Sequence, residues 1–400
     1  MKKSVGKVVS SVVAATMMLS LFSGCGSKKN TNTSTNVSES TNETVSAQEY
    51  MIGGIGPVTG GAAIYGQAVK NAAMIAVDEI NANGGVNGFK LNFQFEDDEH
   101  DAEKSVNAYN TLKDKGMKIL MGTVTSKPCT AVAAKAAADN MFLLSPSASA
   151  VECITNPNAF RVCFSDPNQG GASAEYIGTK NLATKVAVIY NSSDPYSSGI
   201  FDTFKAKSAN QSFEIVSEEA FTDDSKTDFT VQLQNAKDAG ADLVFLPIYY
   251  QEATLILQQA KTMGYAPKFF GCDGLDGILT QEGFDVAFAE DVMLLTPFVA
   301  DAQDQITQKF VAAYKAKYNE IPNQFAADAY DAIYAIKLAL EKSGVKPDAS
   351  TSDICEALKK SMLEIKLDGV TGEITWDVSG EPTKTPKAMK IVNGAYQAMD

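Results

Sequence analysis

The sequence predicts an α/β protein made of two doubly wound, Rossmann-like lobes joined by a hinge. Short β-rich runs alternate with amphipathic helical runs at intervals of about 25–35 residues, which is typical of parallel sheets. The number of such runs exceeds what one core comfortably holds. The series also restarts, because KVAVIYNSSDPYSSGIFDTFK repeats the strand–loop–helix order of YMIGGIGPVTGGAAIYGQAVK. Two lobes are therefore the simplest arrangement.

Strands and helices can be assigned in chain order. The predicted strands are YMIGGI, KLNFQFE, KILMG, MFLLS, KVAVIY, FEIVSEEAF, ADLVFLP, KFFG and DVMLLT. The predicted helices are AVKNAAMIAVDEIN, AEKSVNAYNTLKDKG, CTAVAAKAAADN, GGASAEYIGTKNLA, SGIFDTFKAKSA, FTVQLQNAKDAG, EATLILQQAKTMG, QITQKFVAAYKAKY, QFAADAYDAIYAIKLALEKSG and TSDICEALKKSM. Gly116, Gly240 and Gly264 follow helix ends, where glycine commonly terminates a helix. The last three helices and the hairpin-like GVTGEITWDVSG come late, so they predict that the chain returns to complete the first lobe.

The N-terminal segment is predicted to lie outside the globular fold. Residues 1–24 hold three lysines and then the apolar segment VVSSVVAATMMLSLF, which is typical of a secretory signal and too short to span a bilayer. Cys25 follows small residues, as in a lipoprotein signal, which predicts cleavage before Cys25 and its acylation. An ordinary secretory signal with an incidental cysteine is the alternative. Residues 25–47 are rich in Ser, Thr and Asn and predict a flexible, disordered tether.

Charge and composition exclude several function classes. The formal net charge of −14 argues against nucleic-acid binding, which rests on basic patches. His100 and Arg161 are the only histidine and arginine, so multi-histidine metal sites and histidine-based triads drop out. We expect His100 on the solvated surface and Arg161 in a structural role near the hinge, as an ion pair or carbonyl clamp. An extracytoplasmic hydrolase using carboxylates such as Asp97 or Asp273 stays as an alternative.

Cysteines and acidic clusters give no metal or redox motif. The cysteines after the N-terminal segment show no CxxC or zinc spacing, and we expect small buried residues, with a Cys153–Cys163 disulfide as an alternative. Asp97, Asp98 and Asp328 are expected at the edge of the cleft between the lobes or at helix caps. Calcium needs about six or more oxygen ligands and no EF-hand spacing occurs, so no metal is predicted.

The glycine-rich stretch IGGIGPVTGGAAIYG raises the question of a phosphate site. It follows a strand and leads into a helix, as nucleotide-binding loops do. A dinucleotide fingerprint, however, needs GxGxxG and an acid about 20 residues later. Here the third glycine is missing and the first acidic strand end comes much later. We therefore expect no nucleotide and no cofactor. The glycines instead let backbone approach a ligand at the strand's carboxyl end, where Tyr65 offers an aromatic face.

Eight motifs carry a resemblance to a known family over residues 49–395. They are, in order, GIGPVTGGAAIYGQ, GTVTSKPCTAVA, LLSPSAS, FRVCFSDPNQG, DPYSSGIFDTF, FLPIYYQEA, GCDG and FAADAYDAIY. Together they resemble the ligand-binding proteins of branched-chain amino-acid ABC importers, which have the type I periplasmic-binding-protein fold. In that family two lobes clamp one amino acid between them, and the closed form docks on a membrane permease.

The resemblance implies a non-enzymatic, extracytoplasmic receptor that is anchored to the cell membrane by lipid. Its ligand would be an amino acid, most simply leucine, isoleucine or valine, and its protein partner the permease of an ABC importer. We expect a monomer whose first lobe comprises residues 48–166 plus 297–377 and whose second comprises 167–296 plus 378–400. A sensory partner of a membrane receptor, or a binder of an amide, urea or an aromatic acid, stays as an alternative.

The resemblance also implies which polar residues grip the ligand. Ser126 and Ser149 match the groups that bind the carboxylate through hydroxyl and backbone N–H. Ser126 is predicted as the N-cap of its helix, whose N-terminus favours an anion. Ser147 is expected to offer its carbonyl, and Asp273 its carboxylate, to the ammonium, because a buried unpaired charge is costly. The alternative is that these residues have only structural roles, as helix caps and in loops and turns.

Four aromatic side chains complete the implied site. Tyr65, Tyr196 and Tyr249 match positions that frame the family's pocket, and Phe325 matches a further wall position. Tyrosine combines an apolar face with a hydroxyl group. Plain core packing is the alternative. Tyr250 would replace Tyr249 if the alignment is off by one residue, because strand alternation sends neighbouring side chains to opposite faces.

Overall fold

The computed structural model describes residues 48–399, so the predicted signal, the tether and Cys25 lie outside the described part. Two sheets organise this part. The first sheet has the strand order β2-β1-β3-β4-β5 and is parallel throughout. Its strands are β1 Glu49–Gly56, β2 Lys90–Asp97, β3 Ile119–Gly122, β4 Phe142–Ser145 and β5 Ala159–Arg161.

The second sheet has the order β14-β13-β10-β9-β8-β6-β7. Its strands are β6 Lys185–Asn191, β7 Glu214–Phe221, β8 Leu243–Leu246, β9 Lys268–Gly271, β10 Met293–Thr296, β13 Lys387–Val392 and β14 Ala395–Ala398. The strands from β6 to β10 pair in parallel, whereas β13 and β14 add an antiparallel edge. The strands β11 Leu367–Gly369 and β12 Gly372–Ile374 form a separate two-stranded antiparallel hairpin.

Ten α-helices cover the two sheets within residues 48–399. They are α1 Ala63–Ala82, α2 Ala102–Asp114, α3 Ser126–Ala138, α4 Asp166–Thr179, α5 Pro195–Ser208, α6 Thr230–Asp238, α7 Tyr250–Thr262, α8 Gln305–Tyr318, α9 Gln324–Ser343 and α10 Thr351–Met362. The nine predicted strands and ten predicted helices are all present, and the α/β fold class is confirmed. None of these helices is long and apolar enough to cross a bilayer.

The helices divide between the sheets. Helix α9 packs along α1, and α10 contacts β3 and β4, so the late helices lie on the first sheet. Helix α4 packs on α5, which contacts β6 of the second sheet. We call the first sheet with α1–α3 and α8–α10 the first lobe, and the second sheet with α4–α7 the second lobe. The residue limits that the sequence gives for the lobes stay a prediction.

The three glycines expected at helix ends are confirmed there. Gly116, Gly240 and Gly264 have φ angles of +92°, +75° and +60°, and each stands one residue beyond the C-cap of α2, α6 or α7. A residue with a Cβ is strained at such angles, so glycine ends the helix at low cost.

The glycine-rich loop owes its composition to close packing. A Cβ on Gly56 would overlap Val124 of the neighbouring strand connection, and a Cβ on Gly66 would overlap the Pro57 carbonyl. The first turn of α1 therefore lies directly against the loop's own backbone. The close approach that Gly56 and Gly66 permit is to the chain itself, and the approach of this loop to a ligand stays a prediction.

Replacing Gly66 with alanine should destabilise the protein by about 3 kcal/mol, because backbone rather than a movable side chain blocks the added methyl group. The matched control is Gly171→Ala in α4, whose Cβ would meet nothing closer than 3.9 Å. That change should be neutral or stabilise by up to about 1 kcal/mol. Urea unfolding of both variants is the measurement, and equal midpoints would contradict the packing argument.

The cysteines in the described part are buried and unpaired. Cys129, Cys153, Cys163, Cys272 and Cys355 are all free thiols. The expectation of small buried residues is confirmed, and the alternative Cys153–Cys163 disulfide is not formed. Within residues 48–399, no three His, Cys, Asp or Glu side chains gather as metal ligands.

Candidate functional site

A small, nearly filled cavity of about 10 Å³ lies between the lobes, at the carboxyl ends of strands from both sheets. This is the edge at which open α/β sheets bind ligands. Its lining residues are Tyr65, Val124, Thr125, Ser126, Ser147, Ser149, Tyr196, Tyr249, Asp273 and Phe325. The structure thus brings together all eight residues that the sequence predicts for the ligand, and adds Val124 and Thr125.

The serine side of the cavity belongs to the first lobe. Ser126 is the first residue of α3 and Thr125 is its N-cap, so the prediction of Ser126 as N-cap is wrong. Pro128 has no N–H to offer a capping hydroxyl at Ser126. The Ser126 hydroxyl instead accepts hydrogen bonds from the backbone N–H of Ser149 at 3.2 Å and of Ala150 at 3.1 Å. Both lone pairs are then used, and its proton remains to donate into the cavity.

The Ser147 hydroxyl is already engaged by the protein itself. It donates to the carbonyl of Val124 at 2.7 Å, which fixes the 145–149 loop against the end of β3. The Ser145 hydroxyl donates to the Thr123 carbonyl at 3.0 Å and accepts from the N–H of Ala148 at 2.9 Å, bracing the same loop. The hydroxyls of Ser145 and Ser147 therefore tie this loop to the segment that follows β3.

Asp273 stands on the opposite wall, just beyond β9. The Tyr196 hydroxyl donates to its Oδ1 at 2.8 Å and accepts from the N–H of Gly274 at 3.0 Å. The backbone N–H of Asp273 donates to Gln169 Oε1 at 3.2 Å. The carboxyl is 2% exposed. Burial raises its pKa to about 6, opposed by the Tyr196 hydrogen bond.

Two further buried carboxyls lie near Asp273 without lining the cavity. Asp166 and Asp194 both have raised pKa values because they are buried; that of Asp194 is about 6. Asp194 caps α5 and faces the Tyr249 hydroxyl. Burial favours the neutral form of both groups, so Asp273 is the carboxyl that presents an acid to the cavity. The sequence reasoning missed Asp194, although its position before Pro195 is typical of an N-cap.

Aromatic rings close the rest of the cavity. Tyr65 stacks on Phe325 at 4.1 Å between ring centroids, and Tyr196 stacks on Tyr249 at 4.8 Å. The Tyr65 hydroxyl donates to the Gly274 carbonyl at 2.5 Å and accepts from the N–H of Tyr250 at 3.1 Å. Because Tyr65 lies in α1 and its partners lie in the second lobe, these bonds join the lobes across the cleft.

The choice between Tyr249 and Tyr250 does not depend on strand alternation. Strand β8 ends at Leu246, and α7 begins at Tyr250 with Tyr249 as its N-cap. Tyr249 lines the cavity, while the Tyr250 ring lies edge-on to Tyr65 at 5.0 Å. Both tyrosines therefore contact Tyr65.

His100 is not on the solvated surface, so that expectation is wrong. The ring is partly buried, with Nδ1 2.9 Å from the Thr125 hydroxyl and its edge against Tyr249 at 5.5 Å. Burial, followed by the charge of Lys226, lowers its pKa to about 4. The backbone after β2 turns through the left-handed region, with φ of +50° at Glu99 and +61° at His100.

Arg161 is the carbonyl clamp and ion pair that the sequence predicts. Its guanidinium is fully buried and donates to the carbonyls of Ala148 and Ser149. It also lies 3.3 Å from Glu381 Oε1, in the segment that leads back to the second sheet. Arg161 thus connects the 145–149 loop, here called the serine loop, to the segment around Glu381 through which the chain returns to the second sheet.

The remaining acidic candidates have structural partners. Asp97 accepts from the N–H of Val58 at 2.9 Å and the hydroxyl of Thr59 at 2.6 Å, at the lip of the cleft. Asp328 is buried and pairs with Lys384 at 3.2 Å. A wider, open depression beside Lys113 lies at the other end of the first sheet, away from these groups.

Comparison with known protein families and structures agrees with the fold and the cavity described above. The chain belongs to the periplasmic binding protein family, which matches residues 49–394. Its resemblance to the binding proteins of branched-chain amino-acid importers is confirmed by relatives of that class. The Leu/Ile/Val-binding protein BraC3 of Rhizobium johnstonii is 29% identical over 338 residues, 84% of this chain and 89% of that protein.

Solved structures of similar fold belong to the same class of binding proteins. The branched-chain amino acid transporter substrate-binding protein LivJ of Streptococcus pneumoniae, in complex with isoleucine, superposes with a TM-score of 0.80 at 29% identity, covering 88% of this chain and 98% of that one. The leucine-binding protein LivK of Thermotoga maritima gives 0.77 at 25% identity, covering 87% and 97%. These relatives are solute-binding transport proteins rather than enzymes.

Proposed function

We propose that this protein captures a small aliphatic amino acid, leucine, isoleucine or valine, between its lobes and delivers it to the permease of an ABC importer. Asp273 and the Ser147 carbonyl take the ammonium, and Ser126 and Ser149 take the carboxylate. Tyr65, Tyr196, Tyr249 and Phe325 enclose the remainder. The protein works as a monomer, without metal or cofactor.

One observation carries this proposal. A buried carboxylate with its own hydrogen-bond partner faces a pair of serines across a single cavity. A zwitterion needs an anion for its ammonium and donors for its carboxylate, because an unmatched buried charge is costly. The serine side also lies at the N-terminus of α3, where the helix dipole favours an anion.

The test is calorimetric titration against the twenty amino acids. The mature chain, purified in detergent and refolded to remove bound ligand, should bind leucine, isoleucine or valine with a Kd of about 1 μM or lower. Absence of heat across the whole panel would refute the amino-acid ligand and turn attention to solutes without an α-ammonium.

The sequence supports a lipid anchor at Cys25. Replacing Cys25 with serine removes the thiol that acylation requires, so the protein should move from the membrane fraction to the soluble fraction. A Cys355→Ser variant, which alters a buried thiol of the fold, is the matched control and should stay with the membrane. Membrane retention of the Cys25 variant would refute lipid anchoring.

An ion pair across the cleft should slow ligand release. Lys127, next to Ser126 on α3, lies 2.9 Å from Asp223 of the second lobe, and Asn191 holds the other oxygen of Asp223 at 2.9 Å. Because the pair is partly exposed, Lys127→Met should speed dissociation only about two- to fivefold. Stopped-flow release measures this.

The control for this ion pair lies within the second lobe. Lys205 and Glu218 are 2.7 Å apart with similar side-chain exposure, but both belong to the same lobe. Lys205→Met should leave the rate of ligand release unchanged. Equal rates for the two variants and the unaltered protein would mean that the Lys127–Asp223 pair does not hold the lobes closed.

A further inference from the structure

A buried side-chain amide lies beside the cavity without a hydrogen-bond partner. Gln324 is the first residue of α9 and precedes Phe325, which lines the cavity. Its side chain is 0% exposed, yet neither its amide nitrogen nor its amide oxygen makes a hydrogen bond with any residue in the described part of the chain. A buried polar group without a partner is costly, and each such group in a native protein calls for an explanation. The amide keeps its full bonding capacity for a group that comes within reach.

The start of α9 is docked on the loop that carries Asp273. The backbone N–H of Gln324 donates to Oδ2 of Asp276 at 2.7 Å, and Asp276 follows Asp273 in the turn after β9 of the second lobe. Burial raises the pKa of Asp273 to about 6, and nearby hydrogen-bonding groups, the Gln324 amide among them, oppose that rise. A donor that favours the charged carboxylate has this effect. The Gln324 amide therefore lies close enough to Asp273 to act on its charge.

The other side chains that oppose this rise belong to the second lobe, like Asp273 itself. The Tyr196 hydroxyl of α5 donates to Asp273 Oδ1 at 2.8 Å, and Gln169 of α4 accepts from the backbone N–H of Asp273 at 3.2 Å. Both stay beside Asp273 whether the lobes are apart or together. Gln324 belongs to the first lobe, so its distance from Asp273 depends on how closely the lobes meet.

We propose that Gln324 is a positioning residue that acts through Asp273: when the lobes close on a ligand, its amide N–H donates to the Asp273 carboxylate and fixes it toward the ammonium. This inference rests on the proposed function, because it takes the ammonium to lie at Asp273. A hydrogen bond to an ionised group is stronger than one between neutral groups. Because the bond joins the two lobes, it forms in the closed state and slows ligand release.

The main variant is Gln324→Met, which removes the amide, keeps much of the side-chain volume and leaves the backbone bond to Asp276 in place. Its Kd for the tightest-binding of leucine, isoleucine and valine, titrated with the mature chain in detergent, should rise about tenfold. Stopped-flow measurements should assign the change to faster release, with the association rate altered less than about twofold. In an Asp273→Asn background the same substitution should change the Kd less than about threefold, because the charged partner is gone.

Stability separates this role from a merely structural one. Because the Gln324 amide makes no hydrogen bond, Gln324→Met exchanges an unpaired buried polar group for an apolar one. The urea midpoint of the ligand-free protein should therefore stay the same or rise, although binding weakens. The matched control is Asn158, a similarly buried amide just before β5, whose Nδ2 donates to the Met141 carbonyl at 2.7 Å. Asn158→Leu should lower the urea midpoint and leave the Kd unchanged.

The outcomes distinguish this inference from the proposed function. If the unaltered protein binds an aliphatic amino acid and Gln324→Met binds it within about twofold as tightly, the inference is overturned and the receptor role stands. The same conclusion follows if the loss of affinity is equally large in the Asp273→Asn background, because Gln324 then acts independently of that carboxylate. If no amino acid binds the unaltered protein, the proposed function falls and this inference falls with it.

Discussion

Asp273→Asn should weaken amino-acid binding about 100-fold or more, corresponding to roughly 3 kcal/mol. The substitution keeps an acceptor for the Tyr196 hydroxyl, so the wall of the cavity keeps its shape. It removes the negative charge that the ammonium requires, and a buried ammonium without an anion is costly. Folding should not suffer, because the change removes one of three neighbouring buried carboxyls, the others being Asp166 and Asp194.

The same carboxyl predicts how binding depends on pH. Burial raises the pKa of Asp273 to about 6, so acid below that value protonates it and removes the charge that holds the ammonium. The ligand's own groups titrate outside pH 5 to 7 and stay zwitterionic. Affinity should therefore be constant above about pH 7 and fall roughly tenfold by pH 5. Asp273→Asn should abolish most of this dependence.

A neighbouring carboxyl provides the control. Asp276 is also buried, and burial raises its pKa to about 6, but it accepts from the N–H of Gln324 at 2.7 Å and does not line the cavity. Asp276→Asn should keep the loss of affinity in acid. Titrations of both variants at pH 5 and 7 decide the matter: an unchanged pH profile in Asp273→Asn would remove Asp273 from the ammonium site.

Elements with strong local patterns could be predicted from the sequence. Helices α8 and α10 begin and end as the sequence places them, because their apolar spacing and flanking caps agree. Strand β5, with only three residues, was missed because it is too short to show a pattern. Strands β13 and β14 were missed because they pair antiparallel at the edge of an otherwise parallel sheet, and nothing local in KAMKIV indicates that partner.

The same distinction applies to the residues of the candidate site. Asp273 and the serines could be found because they belong to short motifs whose order along the chain is informative. His100 could not, because its environment depends on Thr125 and Tyr249, which are distant in sequence and come from both lobes. Its acidic neighbours instead suggested solvent. A single sequence carries no local signal for contacts that form only when two lobes meet.

Arg161→Met should destabilise the protein by about 3 kcal/mol and weaken ligand binding as well. The substitution keeps much of the side-chain volume but strips donors from the carbonyls of Ala148 and Ser149, and leaves the Glu381 carboxyl without its cation. Removing one member of a buried pair costs about 3–5 kcal/mol, and the partial exposure of Glu381 places the expected value at the lower end. The measurement is the urea midpoint with and without ligand.

A double variant separates the ion pair from the clamp. In Arg161→Met/Glu381→Met no unpaired charge remains, so part of the lost stability should return. Ligand affinity should not return, because the carbonyls of Ala148 and Ser149 still lack donors and the serine loop beside Ser126 stays loose. If the double variant recovers both stability and affinity, Arg161 acts through its charge alone. If it recovers neither, Glu381 contributes nothing, and the clamp on the serine loop accounts for the whole effect.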